Sequence, residues 1–352
     1  MNRELQVIRV EPSRYRAAVP CVESGHLHYS SLRGVEAAQV RQYQIERLKA
    51  MAEYAETNGD LLFYSAGDAE ECMGGMILYF GSDDDITGTP HAFLLDLHGT
   101  DQNTVSALIE KAGSAAEEAS MGYLAIDVSI WDEKLRNVLA SEGFIDEYSV
   151  FIHTLKRDFP RFEGERRFMI RAAEKDDIDE MLAIGKESIE SLISPCRLST
   201  QASALRHYEE CYSNLHIWLH MRERFAAFIA NEKESMEPSG IILLHLGGEL
   251  PGLEEPSFRC STRDSVTGQH QVSLLLLSVR KRYHGKYLGQ SLISHASREL
   301  AGRGFTMMAG EILTANLRAL ATLLRRFKGP LEVEKTQMVK RIDLRQAMIL
   351  QS

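Results

Sequence analysis

The chain has 352 residues, which is more than one hydrophobic core usually holds, so two domains are expected. Its hydrophobic fraction of 44% and charged fraction of 26% are typical of a globular protein, and its net charge of -10 disfavours binding to nucleic-acid phosphates. No apolar run approaches the roughly 20 residues that span a bilayer, and the first residues lack the apolar core of a signal peptide. The five cysteines are widely spaced, so neither disulfides nor a metal site is predicted. We expect a cytoplasmic protein with no nucleic-acid and no membrane partner.

Strand-like and helix-like segments alternate in the first half of the chain, which indicates an α/β fold. Strands are predicted at Leu5–Val10, Leu61–Ser65, Gly74–Phe80, His91–Leu97 and Leu124–Ser129. Helices are predicted at Val40–Tyr54 and Asp132–Leu139. The second helix ends in a Gly143-Phe144 turn, and the fourth strand is followed by a turn that carries only Gly99 and the acidic Asp101.

The best candidate for a domain linker is KRDFPRFEGERR, residues 156–167, which is charged and has neither strand nor helix periodicity. It divides the chain into predicted domains at residues 1–158 and 166–352. In the second domain, strands are predicted at Phe168–Arg171, Arg224–Ala230, Gly240–Leu246, Val272–Val279 and Phe305–Leu313. Helices are predicted at Ala172–Ala183, at Thr200–Tyr212 and from Asn316 to Phe327, and a long polar loop at Gly247–Gly268.

The most informative segment of the chain runs from Val272 to Ala296. It predicts a buried strand, a basic loop with Gly285 and Gly289, and a helix that starts near Leu288. Glycines let the backbone approach a ligand, and the unpaired N–H groups at a helix start attract anions. The loop adds positive charge through Arg280, Lys281, Arg282, His284 and Lys286. This pattern predicts a site for a ligand that carries a pyrophosphate, and the alternative is a basic surface turn.

This strand, loop and helix resemble the acyl-coenzyme A loop of the GNAT N-acetyltransferase superfamily, whose motif is Arg/Gln-x-x-Gly-x-Gly/Ala. On this chain His284 takes the leading basic position, Gly285 and Gly289 match, and Tyr287 stands where the family often has a middle glycine. A second strand follows, and then Asn316 opens a helix, as in the family. Asn316 would contact the pantetheine arm of coenzyme A, or it would simply cap its helix.

The resemblance implies acetyl-CoA, or another acyl-CoA, as co-substrate and implies no metal. A backbone N–H of the strand before the loop usually polarises the thioester carbonyl, and here that donor belongs to Leu277 or Val279. The residues implied to hold the co-substrate are Leu277, Val279, His284, Gly285, Lys286, Tyr287, Leu288, Gly289, Gln290 and Asn316.

Acetyl transfer to an amine needs a base, because a protonated amine is not nucleophilic. Glu311, in the apolar strand MMAGEIL, is the predicted base, since burial would raise its pKa. An edge-strand glutamate that faces water is the alternative, and His245 and His270 are other candidates. The family's usual tyrosine acid is replaced by a leucine here, so Tyr283 at the loop entrance is the candidate general acid.

The first half of the chain resembles a degenerate repeat of the second, at an offset of 162 residues from Ile8 to Ile170. The resemblance therefore implies an α/β (α+β) fold with two tandem GNAT-like acyl-CoA N-acyltransferase domains. Each would be a mixed, mostly antiparallel sheet flanked by helices, and only the second would bind the co-substrate. An unrelated α/β domain is the alternative for the first half.

The predicted function is N-acetyl transfer from acetyl-CoA to a primary amine of a small molecule, by direct attack in a ternary complex. A monomer or a homodimer suits such an enzyme. A non-catalytic acyl-CoA-binding or scaffold protein is the alternative, because the usual tyrosine and one loop glycine are missing. A nucleotide-binding enzyme is disfavoured, since no Gly-Lys-Ser/Thr triplet follows the glycines.

Overall fold

In the computed structural model of the protein, the described residues are 5–12, 14–15, 36–67, 72–83, 90–193, 214–247, 271–313 and 331–342. They include twelve strands, β1–β12, and seven α-helices, α1–α7, and they fall into two compact units. Within the described part, unit 1 takes in the residues up to Tyr148 and those from Glu334 onward, and unit 2 takes in those from Ser149 to Val333. None of the helices in this part of the chain is both long and apolar enough to cross a membrane.

Unit 1 is built on a sheet with the strand order β1-β2-β3-β4-β5-β12. The strands are β1 (Gln6–Val10), β2 (Leu61–Gly67), β3 (Cys72–Asp83), β4 (Pro90–Gly99), β5 (Tyr123–Ser129) and β12 (Leu331–Arg341). The helices are α1 (Ala37–Ala55), α2 (Gln102–Glu118) and α3 (Glu133–Ser141). Strands β4 and β5 are parallel and the other neighbours are antiparallel. Apolar residues recur in α2 at helical spacing, so that Leu108 and Ile109 are buried against Leu78, Leu94 and Ile126 of the sheet.

Unit 2 has the same plan, with the strand order β6-β11-β10-β9-β8-β7. The strands are β6 (Ile145–Thr154), β7 (Phe168–Ala172), β8 (Phe225–Glu232), β9 (Pro238–His245), β10 (Gln271–Val279) and β11 (Met307–Leu313). The helices are α4 (Gly164–Arg167), α5 (Ile178–Ile193), α6 (Leu215–His220) and α7 (Leu288–Gly302). Its one parallel pair among the described strand registers is β10 with β11. Leu292 and Ala296 of α7 are buried against Ile242, Leu244 and Val272.

The predicted fold class is therefore confirmed, because each unit is a mixed, mostly antiparallel sheet flanked by helices. The predicted helix at Ala172–Ala183 begins later, since Glu174 and Asp177 form a capping box around a short 3-10 turn before α5. The predicted helices at 200–212 and 316–327 and most of the predicted loop at 247–268 lie outside the described residues.

The segment predicted to be a linker is packed onto α7. Phe159 is 6% exposed, and the Ser294 hydroxyl donates to the Pro160 carbonyl at 2.7 Å. Arg298 donates to the carboxylate of Glu165 at 2.7 Å. A Cβ on Gly164 would lie 2.4 Å from the Ser291 hydroxyl oxygen, so the segment follows the helix closely. The segment between the two predicted domains is therefore packed against unit 2, and Phe159 makes the apolar contact.

The last strand of each half of the sequence lies in the sheet of the other half. Strand β12, near the end of the chain, pairs with β5 of unit 1 from Lys335–Ser129 to Arg341–Tyr123. The part of β6 from Ser149 onward lies next to β11 in unit 2. The compact units are thus discontinuous in sequence, whereas the predicted domains, 1–158 and 166–352, are contiguous.

Candidate functional site

Strand β10 runs beside β11 for only half of its length. The two strands are parallel over Gln271–Leu274 and Met307–Gly310, and among the described residues the pairing goes no further. The register of β10 against β9 shifts at Leu275, which is the extra residue of a β-bulge and bends the strand. A Cβ on Gly310 would lie 2.6 Å from Cζ of Phe151, so only glycine admits that ring at the point of separation. The sheet therefore opens between β10 and β11.

The backbone groups of Leu277 and Val279 face this opening. The N–H of Arg280, directly after β10, donates to the Ser239 carbonyl of β9 at 3.0 Å. Every second residue before Arg280 therefore also directs its backbone groups toward β9. Because neighbouring residues of an antiparallel strand point their backbone groups to opposite sides, Leu277 and Val279 direct theirs away from β9. The Val279 carbonyl accepts a hydrogen bond from His284 Nε2 at 2.9 Å. The two N–H groups and the Leu277 carbonyl thus lie at the opening.

The start of α7 lies directly after β10 and its loop. Tyr287 is the N-cap, but its side chain makes no capping hydrogen bond, and the first intrahelical bond runs from Ser291 N to Tyr287 O at 3.0 Å. The N–H groups of Leu288, Gly289 and Gln290 therefore have no intrahelical acceptor. A Cβ on Gly289 would meet only Leu277 Cδ2, at 3.9 Å, so the backbone here is open to a ligand. This arrangement is suited to binding an anion.

Two of the basic loop residues are engaged by acidic side chains of unit 2. The Arg280 guanidinium donates to Glu180 and to Glu187, each at 3.0 Å, and both carboxylates belong to α5. Arg282 forms an ion pair with Glu237. These arginines therefore fix the loop to its surroundings, and their charge is largely balanced before any anion arrives.

Tyr283 holds the loop in place through a buried side chain. It is 3% exposed, its ring meets the Phe168 ring edge-on at 5.3 Å, and its hydroxyl donates to Glu232 at 3.0 Å. The Arg167 guanidinium, more than the Tyr283 hydroxyl, holds the pKa of Glu232 below its usual value. The Lys286 ammonium lies 5.0 Å from the centre of the Tyr283 ring, as in a cation–π contact.

Unit 1 repeats the opening in the sheet but closes the helix end. Strand β4 is parallel to β5 only over its residues 91–94, and the register shift at Leu95 matches that at Leu275. Two residues, Thr100 and Asp101, join β4 to α2, where eight residues join β10 to α7. Asp101 Oδ1 accepts from Thr104 N at 2.9 Å, and this hydrogen bond holds the pKa of the carboxyl below its usual value. The anion-binding end of α2 is thus occupied by the chain's own carboxylate.

No model of a known protein family matches the sequence, and no curated protein matches it. A GCN5-related N-acetyltransferase from Sphaerobacter thermophilus is similar in structure, with a TM-score of 0.56, 11% identity and 96% of each chain covered. A GCN5-related glucosamine N-acetyltransferase region of a fungal multi-domain GH3 β-N-acetylglucosaminidase gives a TM-score of 0.52 at 10% identity, over 96% of this chain and 38% of that one. The chain has the GNAT fold.

The similarity to the Sphaerobacter thermophilus structure covers 96% of this chain and therefore extends over both units. A tandem GNAT protein from the clavulanic acid biosynthesis pathway is also similar, at a TM-score of 0.45 and 12% identity over 97% of this chain and 99% of that one. At such identities the comparisons concern the fold, and the residues of the site rest on their own geometry.

The structure brings together most of the residues predicted to hold the co-substrate. Leu277 and Val279 lie at the opening between β10 and β11 of unit 2, and residues 284–290 form the loop and the first turn of α7. Asn316 lies outside the described residues. The sequence did not reveal the bulge at Leu275 or the ion pairs of the loop, because their partners are distant in sequence and no local pattern marks them.

The structure describes only some of the predicted catalytic side chains. Glu311 directly follows Gly310, where β10 and β11 part, but its side chain is outside the described structure, as is all of His270. His245 is buried opposite Ser273, about 17 Å along the strand from the end that carries the loop. Burial lowers the pKa of His245, so the ring stays neutral. The roles of Glu311 and Tyr283 stay predictions.

Proposed function

We propose that this protein is an acyl-CoA-dependent N-acyltransferase that moves an acetyl group from acetyl-CoA to a primary amine of a small molecule. The observation that carries the proposal is the joint presence in unit 2 of an opened strand pair and an uncapped helix start. Two solved structures with this fold at a TM-score above 0.5 are named as N-acetyltransferases, which supports the same reaction class.

The residues present fit acetyl-CoA. The N–H groups of Leu288, Gly289 and Gln290 would bind its pyrophosphate, and the backbone groups of Leu277 and Val279 would bind the pantetheine arm as an added strand. When bound, this co-substrate supplies an activated acetyl thioester. The N–H of Leu277 or Val279 is then positioned to donate to the carbonyl oxygen, which gains negative charge as the amine attacks.

A base is still needed to remove the proton from the acceptor ammonium. Glu311 is our candidate, because its place in β11 directly follows the last residue paired with β10. Tyr283 is a weaker candidate for the general acid, since its hydroxyl is already engaged by Glu232. We propose instead that Tyr283 holds the loop in place and that the leaving thiolate takes its proton from water.

A non-catalytic acyl-CoA-binding protein is the second candidate. The observation that favours it is the burial of Tyr283, because the hydroxyl of this candidate acid is already hydrogen-bonded to Glu232. Binding of acetyl-CoA without release of free thiol in the presence of a panel of amines would support this alternative.

The test is calorimetric titration of acetyl-CoA into the wild-type chain and two matched variants. Gly289→Glu adds a carboxylate where the pyrophosphate would lie, in a place with room for a side chain, so we expect affinity to fall at least ~100-fold, which is about 2.7 kcal/mol. Gly113→Glu makes the same change at a glycine of α2 with nothing within 4 Å of its Cβ, and it should leave affinity unaltered. Equal affinity of Gly289→Glu and wild type would remove the assignment.

A further inference from the structure

Beyond its bulge, β4 of unit 1 carries two buried ionisable side chains where β10 of unit 2 has none. The matching bulges at Leu95 and Leu275 align Asp96 with Leu276 and His98 with Ser278. Asp96 is 4% exposed, and the side chain of His98 is 8% exposed. Burying polar groups costs stability unless they are hydrogen-bonded. Asp96 has a hydrogen-bond partner within the chain, so the buried polar group still to be explained is His98.

The strand register of unit 1 places a glycine next to His98. Ser65, Gly75 and His98 lie directly opposite one another on β2, β3 and β4, so their side chains share one face of the sheet. The middle residue of this row is a buried glycine, so β3 projects no side chain next to the imidazole. The adjacent row holds Asp96, whose carboxylate accepts from the Tyr15 hydroxyl at 3.2 Å.

Helix α1 places the buried side-chain amide of Gln44 beside the end of β4. Arg47 donates to the Leu95 carbonyl at 3.3 Å, and the Tyr54 hydroxyl donates to Asp60 at the start of β2, so α1 runs in the opposite direction to β4. Gln44 lies three residues before Arg47, which is about 4.5 Å along the helix axis. The same distance along β4 corresponds to between one and two residues beyond Leu95. Gln44 therefore lies level with the stretch from Asp96 to His98.

Gln44 and His98 have hydrogen-bonding capacity that no described residue uses. Gln44 is 3% exposed, and neither its amide nitrogen nor its amide oxygen has a hydrogen-bond partner in the described part of the chain. The same holds for both ring nitrogens of His98, although Nδ1 lies 3.4 Å from Asp96 Oδ2. Such groups are rare in folded proteins, and each left unpaired is destabilising.

We propose that unit 1 has a binding site of its own, between α1 and the open end of β4, for a small uncharged molecule that carries an amide group. A primary amide both donates and accepts hydrogen bonds, which complements the amide of Gln44 and the ring nitrogens of His98. An uncharged ligand is favoured because Arg47 and Asp96 already contribute opposite charges at this place, and burying a further charge would be costly. The site does not depend on the proposed acetyl transfer, since it lies in the unit whose helix end is closed by Asp101.

The test uses the full chain and acetamide as the probe, with no acetyl-CoA present. We expect a saturable shift of the His98 side-chain NMR signals, which are assigned by their loss in His98→Gln. Gly75→Val adds a branched side chain next to the imidazole and should weaken acetamide binding at least tenfold. Acetate and methylammonium at the same concentrations should leave the signals in place.

Gln44→Met supplies the second readout. It replaces the buried amide by an apolar side chain of similar size, so we expect weaker acetamide binding together with a higher Tm than wild type. Gln42→Met, on the same helix but exposed and bonded to Glu46, is the matched control and should change neither. The proposal is overturned if acetamide leaves the His98 signals unmoved, which would mean water or the chain itself fills the site, or if Gln44→Met lowers the Tm.

Discussion

At the scale of single residues, the start of α7 contains a backbone conformation that suits glycine better than tyrosine. Tyr287 has φ 60° and ψ 14°, which is the left-handed region, and it is the N-cap of α7. A residue with a Cβ is destabilised there by about 1 kcal/mol. The position is the one at which the sequence resemblance places a glycine of the loop motif, and the conformation is one that glycine adopts without strain.

This conformation predicts an inverted order of stability for two substitutions at Tyr287. Both Tyr287→Gly and Tyr287→Ala remove the ring and its contacts, so the difference between them reports the backbone alone. Alanine is usually more stable than glycine at a helix, but here we expect Tyr287→Gly to have the larger free energy of unfolding, by about 1 kcal/mol. Urea denaturation measures both values, and an alanine variant equal to or above the glycine variant would contradict the left-handed assignment.

The buried His153 in β6 gives unit 2 a dependence on acid. It is fully buried, and its Nε2 lies 2.9 Å from the Ser297 hydroxyl oxygen. Burial, and to a smaller extent the charge of Lys156, lowers the pKa of His153 from 6.5 to about 4. The unfolded chain therefore binds this proton below pH 6.5 while the native chain does not, so stability is complete above pH 6.5 and is lost as the pH falls to 4.

The variant His153→Gln tests this dependence. The difference between the two pKa values corresponds to about 3 kcal/mol of unfolding free energy. Glutamine keeps a hydrogen-bonding group toward Ser297 but does not titrate, so wild type should lose about 2–3 kcal/mol more than the variant between pH 7 and pH 4.5. The measurement is urea unfolding at both pH values. Parallel losses in the two proteins would show that His153 is not held neutral.

At the scale of elements, the sequence predicts which segments are strands and helices better than it predicts how they are bent or ended. The apolar run from Val272 to Val279 identifies β10, but nothing in a row of leucines marks Leu275 as the bulge that opens the sheet. The loop glycines predict the anion site, yet the ion pairs of Arg280 require Glu180 and Glu187 of α5, which are about a hundred residues earlier. Local patterns carry periodicity and turn chemistry, whereas bulges and long-range ion pairs depend on packing.

The two halves of the sequence differ in the turn that joins the bulged strand to the following helix. In the first half Asp101 is an ordinary N-cap, and that capping both stabilises α2 and fills the place that unit 2 keeps open. The capping is visible in the sequence, because an aspartate directly before a helix is a recognised helix start signal. The polar side chains of Asp96 and His98 were visible in the run HAFLLDLHG, but only the strand register shows that they are buried beside a glycine.

At the scale of the whole molecule, the discontinuous units mean that neither half of the sequence contains a complete sheet. Residues 1–158 lack β12, which pairs with β5 along Tyr123–Ser129 and contributes Met338 to the buried core of unit 1. The sequence could not predict this, because the apolar pattern of β12 would suit the edge of either sheet. Residues 166–352 likewise lack β6, whose Phe151 is part of the buried core of unit 2.

We therefore expect a fragment of residues 1–158 to be unable to fold as a stable domain. Cutting there would expose the hydrogen-bonding edge of β5 and remove a buried methionine, whose loss alone typically costs about 2–5 kcal/mol, comparable with the stability of a small domain. Joining residues 331–342 to the fragment through a flexible Gly/Ser linker should restore a cooperative thermal transition by circular dichroism, because it returns the missing strand. The same linker carrying Met338→Asp is the control and should not restore it. A cooperative transition of the bare fragment would show instead that unit 1 is complete without β12 and that the contiguous division of the sequence is the correct one.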